Sequence, residues 1–430
     1  MEISKYDLAL PETIGLARLF AIGFGGGDYG TIITELLARL ERDQEDAAAL
    51  FDLATILMLN GKRQEGLDCQ QDALRISRLF RQSATGTAEP PLKLLMLAVP
   101  GDFMANTPVQ FLLEGAGVTL DTLYLSPDGN LPELVPPHDI LLVGIGESDE
   151  SKPILASLQP ALDRWPRPVL NRPADVLKLT REKLATTLSP GRGLDVPVTI
   201  RVDRAMLDNL ANEKAGPVDL LGEGAYPIIA RPVGSHAGHG LSKLDTPAAV
   251  GAYLRTQQGE DFSISRFVDY RDADGLFRKF RIVLIDGRPF LAHVAIGRHW
   301  MLHYLNAGMA ESAAKRAEEA ALMAAFSVGF AARHREALAD IAALAGLEYF
   351  AVDCAETREG KLLIFETDTA MIVHDMDPPD LYPYKHPQMT RIFKAFRKML
   401  RARIHQAHAR NTLIAASSLR KMTGRKPLPG

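Results

Sequence analysis

The chain has 430 residues, too many for one ordinary core at roughly 100–200 residues per domain, and its 47% apolar and 24% charged composition is that of a globular protein. The longest run without Asp, Glu, Lys or Arg is 13 residues (320–332), short of the roughly 20 that a membrane span needs. Net charge is −4, but the last 40 residues hold 11 of the 49 Lys and Arg and none of the 53 Asp and Glu, which leaves −15 on residues 1–390.

The first twenty residues include Glu2, Asp7 and Glu12 and lack the basic start of a secretory leader. Two cysteines, Cys69 and Cys354, cannot build a disulfide framework or a cysteine-rich zinc site. A soluble, reduced, cytoplasmic protein is expected, with no membrane partner. Along residues 31–80 apolar side chains recur at helical spacing. Ala47, Leu50, Leu53, Ala54 and Leu57 share one face, Asn60-Gly61 closes that helix, and 66–79 repeats the pattern. Helix, turn and helix resemble one tetratricopeptide-like hairpin, a unit that buries its apolar face by stacking on neighbours. With one clear copy present, that face must be covered by the preceding helix (14–20) or by the next domain. Residues 25–30, Gly-Gly-Gly-Asp-Tyr-Gly, fit G-x-G-x-x-G. The dinucleotide motif needs a strand before it and a βαβ unit around it, and here only helices flank it, so an inter-helix loop is expected. Residues 81–91, with Ser, Thr, Gly and two Pro, read as a linker.

Beyond the linker the period changes. Segments 92–99, 119–125 and 140–145 are short apolar runs separated by helical stretches, the pattern of a small parallel α/β sheet. A third composition starts near Arg172, with longer strands, a Gly-rich loop and helices at 246–257 and 332–345. Thr246 serves as N-cap and Pro247 takes the first helical position, where its missing amide hydrogen costs nothing. The division is 1–88 helical, 92–172 small α/β, 173–400 a larger α/β (α+β) part, and 401–430 a basic tail. The tail reads as the solvated face of a final helix (391–408) and a frayed end, with no nucleic-acid partner expected.

The strand 226–231 leads into a loop at 232–240. Gly234, Ser235, Gly238 and Gly240 let backbone amides approach an anion closely, and Arg231 adds a fixed positive charge, although a hairpin loop uses the same residues. A strand at 262–268 is followed by Asp269, Asp272 and Asp274, then by strands 278–285 and 289–296 joined at Asp286-Gly287, a hairpin signal. Arg278, Lys279 and Arg281 on the first strand and Arg298 after the second suggest an anionic ligand, with a solvated face as the alternative. Strands 349–353 and 361–368 meet through a turn at Glu359-Gly360. Glu366 and Asp368, two apart, face one side of their strand. Asp353 on the partner strand could face the same point, and hard oxygen ligands suit Mg²⁺. Carboxylates solvated on an edge strand are the alternative. His299 and His303 stand four apart, but Trp300 occupies the place next to His299 where a zinc-protease helix has Glu, and His236 and His239 have no companion ligands.

The order of these parts resembles the ATP-grasp superfamily of carboxylate–amine ligases, in particular the branch of ribosomal-protein glutamate ligases and glutathione synthetases. The parts are a small α/β domain leading to Asn171-Arg172-Pro173, Arg181-Glu182-Lys183, a strand with a basic residue, a Gly-rich loop, an aromatic-apolar linker, a basic hairpin, Arg298 with Asn306, and a D…E-x-D set. The likeness spans about 92–400, so 92–172 would be the domain preceding the ATP-grasp domain at 173–400. The resemblance implies ATP and Mg²⁺ as cofactors, with Lys183 and Arg231 on nucleotide phosphate and 234–240 as the loop over it. It places Arg266, Phe267 and Val268 at the adenine hinge and Asp269 near the ribose. Arg281 and Arg298 would stabilise the transferring phosphate and the acyl intermediate, Asn306 would sit near the second metal or phosphate, and Asp353, Glu366 and Asp368 would hold Mg²⁺. Two departures stand out: Arg231 where the family has Lys, which changes donor geometry, and Asp368 where it usually has Asn. The implied function is an ATP-dependent ligase forming a C–N bond through an acyl phosphate. The alternatives are a phosphotransferase on the same fold and a non-catalytic nucleotide- or peptide-binding module. The helical front favours a peptide or protein substrate, since stacked helices offer concave surfaces. The oligomeric state is left open, a homodimer included.

Overall fold

The computed structural model describes residues 2–5, 9–85, 91–235 and 238–423, with side chains up to residue 410 and at 412. Helices α1 (Leu16–Phe24), α2 (Gly30–Arg42), α3 (Ala47–Leu59) and α4 (Arg63–Ile76) form the front. Asp46 caps α3 by accepting from Ala49 N at 3.0 Å, and Gly66 on α4 lets that helix approach the Ala54 and Met58 turn of α3. Residues 25–29 are the loop between α1 and α2, as expected.

The linker expectation needs correction at its start. Residues Leu79–Gln82 form strand β1, which pairs antiparallel with a strand of the following sheet. Arg81 is anchored there through a bidentate pair with buried Asp121 at 2.7 and 2.8 Å. Four residues following a helical pattern carry too little alternation to announce a strand. Residues 86–90 of the linker lie outside the described residues. The parallel sheet is β2 (Leu92–Ala98), β3 (Val118–Tyr124), β4 (Ile140–Val143) and β5 (Val169–Leu170), ordered β1-β3-β2-β4-β5, with α5 (Ser151–Leu162) crossing between β4 and β5.

Next come α6 (Arg181–Leu188), β6 (Leu194–Asp195), β7 (Thr199–Asp203), α7 (Arg204–Ala211), β8 (Ile228–Pro232), β9 (Ser242–Leu244), α8 (Pro247–Thr256) and β10 (Asp261–Arg266). Strands β9-β8-β10-β7 form an antiparallel sheet. Its alternation is clean. Ile228, Ala230, Phe262 and Ile264 point into a core with Leu207, Leu210 and Leu254 of α7 and α8, so Ile229, Arg231, Ser263 and Ser265 point the other way.

The remaining elements are β11 (Phe277–Ile285), β12 (Arg288–Gly297), α9 (Ala313–Ala325), α10 (Arg335–Ala345), β13 (Tyr349–Glu356), β14 (Leu362–Asp368) and α11 (Lys385–Thr423). Asp286 (φ 49°) and Gly287 (φ 75°) turn the β11–β12 hairpin in the left-handed region that such two-residue loops require. The second sheet runs β12-β11-β13-β14-β6. Phe280, Ile282, Leu284, Phe350, Val352 and Cys354 face the core beneath α9 and α10. Its opposite face changes character along the strands. At one end Val283, Ile285, Tyr349 and Ala351 pack under α11 with Met389, Ile392 and Phe396. At the other end the same face presents Lys279, Arg281, Asp353 and Glu366. The final helix runs from 385 to 423, well past the expected 391–408, because no proline or glycine interrupts 388–423. Residues 424–430 of the tail lie outside the described residues.

The chain is thus an α/β protein. A smaller antiparallel sheet stands over one end of a larger sheet, with the parallel sheet beside them.

Candidate active site

The cleft between the two antiparallel sheets has a volume of about 270 Å³. Its upper wall is the polar face of the small sheet, where Ile229 pairs with Ser265 and Arg231 with Ser263. Its floor is the end of β14, and its back is the hinge after β10. There Phe267 and Val268 meet Trp300 and Leu302 from the segment leaving β12. The Phe267 and Trp300 rings are edge to face at 5.8 Å, Lys243 Nζ lies 4.8 Å above Phe267, and the Tyr270 hydroxyl fixes the turn by donating to Trp300 O at 2.6 Å. These make a flat apolar slot. The other end of the cleft is cationic.

Three cations line that end: Arg181 from α6, Arg231 from β8 and Lys279 from β11. Burial, followed by repulsion from Arg181, lowers Arg231 to about 10. Its guanidinium folds back on the Gly-rich loop, donating from Nε to Ser235 Oγ at 3.1 Å and from Nη2 to Ser235 O. Gly238, at φ 77°, lines the cleft too. A Cβ there would lie 2.9 Å from His303 Nε2, so glycine is what lets the loop close against the opposite wall. His236 and Ala237, inside this loop, lie outside the described residues. Burial, then the Lys279 charge, lowers the His303 pKa, which makes it a neutral imidazole at pH 7.

The carboxylates are arranged by register. Asp353 stands opposite both Arg281 on β11 and Glu366 on β14, and Ala351 stands opposite Asp368. A bulge between 353 and 354 leaves Phe365 as an extra residue, and Phe365, Glu366 and Asp368 all line the cleft. Asp353 lies deeper, 2% exposed, and is already neutralised. Arg281 donates to it twice, at 2.8 and 3.0 Å, and Lys279 Nζ is 2.7 Å away. Burial pushes its pKa up, but these two cations overcome burial and hold it far below the ordinary carboxylate range. Glu366 is paired with Arg181 at 2.7 Å. Asp368 is pushed up to about 7, chiefly by burial and then, against a hydrogen bond donated by Ala370 N, by the charge of Glu366.

Among the described residues no three His, Cys, Asp or Glu side chains come together as a metal-ligand group, and of the expected Asp353, Glu366 and Asp368 the first does not line the cleft. Asp353 belongs to the ion-pair floor with Arg281. Glu366 and Asp368 do fit a magnesium ion, since two crowded carboxylates, one resisting ionisation, are what a divalent cation relieves, and Mg²⁺ bound with phosphates uses one or two protein carboxylates.

Other expected residues stand elsewhere. Lys183 is exposed and does not line the cleft; Arg181 does, because two residues along a helix turn a side chain about 200° away. Arg298 is exposed at the end of β12, outside the cleft. Asn306 is exposed and caps its own turn, accepting from His303 N at 2.8 Å. Asp269 pairs with Arg271 at 2.9 Å. Arg266, by contrast, lines the cleft at the hinge, where it is held by Glu223 at 3.1 Å and by Asp195. Gly234 and Gly240 shape the loop without lining the cleft. Spacing raised His303 and Trp300 only in weighing a zinc motif with His299, not as cleft residues, and gave no sign of Glu147. Glu147 reaches the cleft from the loop after β4, and only the meeting of domains places it there.

No protein-family model and no curated protein sequence matches the chain. Among solved structures the chain is similar to a RimK-domain ATP-grasp protein from Sphaerobacter thermophilus, at 18% identity and TM-score 0.42, covering 72% of this chain and 99% of that one. It is also similar to the D-alanine–D-alanine ligase of Coxiella burnetii, at 10% identity, TM-score 0.44 and coverage of 76% and 99%. The VanG D-Ala:D-Ser ligase of Enterococcus faecalis stands at 12% identity, TM-score 0.42 and coverage of 71% and 99%.

Proposed function

We propose that this protein is an ATP-dependent carboxylate–amine ligase. The observation that carries the reading is the polarity of the cleft: a flat apolar slot at Phe267, Val268 and Trp300 opens onto Arg181, Arg231 and Lys279, with Glu366 and Asp368 beneath them. A purine fills such a slot, and a triphosphate is matched by three cations and a metal-ready carboxylate pair.

Glu366 and Asp368 would hold Mg²⁺, which when bound neutralises charge on the phosphoryl oxygens. Arg231 and Lys279 approach the phosphates from opposite sheets, and Gly238 brings the loop down to exclude water. A substrate carboxylate oxygen attacks the γ-phosphorus, and the bond from that phosphorus to the ADP oxygen breaks. The amine nitrogen of the second substrate attacks the resulting acyl carbon, the carbon–oxygen bond to phosphate breaks, and the nitrogen loses a proton. Arg281, paired to Asp353 opposite Glu366, occupies that carboxylate and leaves Glu366 and Asp368 to face the metal. A peptide or protein substrate is the favoured class. Phe24, at the end of α1 and 45% exposed, packs at 5.2 Å on His374 in the segment leaving Asp368, which puts the helical front beside the route to the carboxylates.

The test is a factorial screen of ADP release against carboxylates and amines, alone and paired, including short peptides. The ligase reading expects ADP and phosphate only when both partners are present. A phosphorylated single substrate would point to the phosphotransferase, and ATP binding with no turnover across the screen to the binding module.

A further inference from the structure

A second cavity, of about 70 Å³, lies between the helical front and the parallel sheet. That is room for roughly five waters, or a ligand of about as many heavy atoms. Asp52, Thr55 and Gln70 line it from α3 and α4, and Asn106, Thr107 and Gln110 from the segment after β2.

Part of this polar lining is spent. The Gln70 amide exchanges two hydrogen bonds with the Gly101 backbone, at 2.9 and 3.0 Å, and Asn106 does the same with Val99, both at 2.8 Å. Thr55 donates to Phe51 O at 3.0 Å. Three groups keep capacity. Among the described residues, the buried hydroxyl of Thr107, 1% exposed, has no partner, and the buried Gln110 carbonyl oxygen has none either. The Asp52 carboxylate, also 1% exposed, accepts from Ile14 N at 2.8 Å and Gly15 N at 3.3 Å, and no side-chain cation pairs with it among the described residues. Arg39, which acts on it at longer range, is held bidentate by Asp46 at 2.8 Å.

The open valences are thus a carboxylate, an amide oxygen and a hydroxyl, surrounded by Phe51, Met58, Phe80 and Met96. Acceptors and negative charge over apolar walls match one ligand chemistry: an ammonium group on a short hydrocarbon stem. Water would satisfy the acceptors but leave the charge uncompensated.

We propose that this cavity binds a small primary amine as its cation. The cavity adjoins the cleft. The segment that carries Thr107 also carries Met104, which lines the cleft, and Thr107 N and Gly146 N tie it to the strand exit that bears Glu147, through bonds to Gly144 O at 2.6 Å and Ala105 O at 2.9 Å.

The test is binding to the full chain and needs no catalytic activity, so it stands or falls separately from the ligase reading. Titration calorimetry with propylammonium chloride at matched ionic strength, with 1-propanol and tetramethylammonium as controls, is expected to show one site for propylammonium and at least about tenfold weaker binding of both controls. Thr107→Val, nearly isosteric, should weaken propylammonium about tenfold with an unchanged melting temperature, and Asp52→Asn should abolish binding. No binding of propylammonium, equal binding of 1-propanol, or wild-type affinity in Thr107→Val would each overturn the proposal.

Discussion

Arg181 and Lys183 show how far a motif can be read without coordinates. Both sit on α6 in the Arg-Glu-Lys segment that resembles the family's phosphate-binding position, and nothing in their residue types separates them. Helical geometry does. One enters the cleft and pairs with Glu366, and the other faces water. The account predicts that Arg181→Ala lowers kcat/KM for ATP by about two orders of magnitude, the scale of a lost charge-stabilising donor, while Lys183→Ala stays within about twofold. Steady-state kinetics on the two variants, side by side, would reverse the assignment if the order were opposite. Asp52 gives a prediction on stability. Burial raises it from 3.8 to about 6, against the bonds from Ile14 N and Gly15 N and the charge of Arg39, with Asp46 adding a smaller upward push. A carboxyl whose folded pKa is raised contributes fully below its unfolded value, and that contribution is lost as pH rises through 6. Between pH 4.5 and 7 the unfolding free energy of the wild type should therefore fall, relative to Asp52→Asn, by about 2 kcal/mol. Urea unfolding of both proteins across that range measures it, and parallel curves would refute the burial argument.

At the scale of elements, local chemistry was a good guide wherever a turn or cap had a specific requirement. Asp286-Gly287 turns the hairpin, Thr246 and Pro247 open α8 with Thr246 accepting from Ala249 N at 3.2 Å, and Glu366 and Asp368 share the face their spacing implied. The sequence was silent where tertiary pairing decides. Strand β1 exists because Arg81 finds Asp121 forty residues on and Phe80 packs with Phe51 at 4.7 Å, neither of which is local information. The same strand changes what truncation should do. Removing residues 1–88 would strip the edge of the parallel sheet and uncover Phe111 and Tyr124, which now pack against Phe20 at 5.5 Å and Phe51 at 5.1 Å. The truncated chain is expected to be insoluble or to unfold without cooperativity. A soluble, cooperatively folding truncation with normal ATP turnover would show that the helical front is an independent appendage.

For the whole molecule, the order of parts along the chain was more informative than any single motif. Each piece alone had an ordinary structural explanation, and it was their order that resembled the ATP-grasp superfamily. What order could not supply is the meeting of surfaces: Lys279 from the larger sheet opposite Arg231 from the smaller, Trp300 against Phe267, and Glu147 from the parallel sheet. It also could not show that Asp353 is held by Arg281 and Lys279. The central claim is that this cleft holds ATP through a metal on Glu366 and Asp368. Titration calorimetry of ATP, with and without magnesium, on the wild type and on Glu366→Gln tests it most directly. The account predicts one ATP per chain, an affinity raised about tenfold or more by magnesium, and loss of that increment in Glu366→Gln with the fold intact. An ATP affinity indifferent both to magnesium and to Glu366→Gln would contradict it.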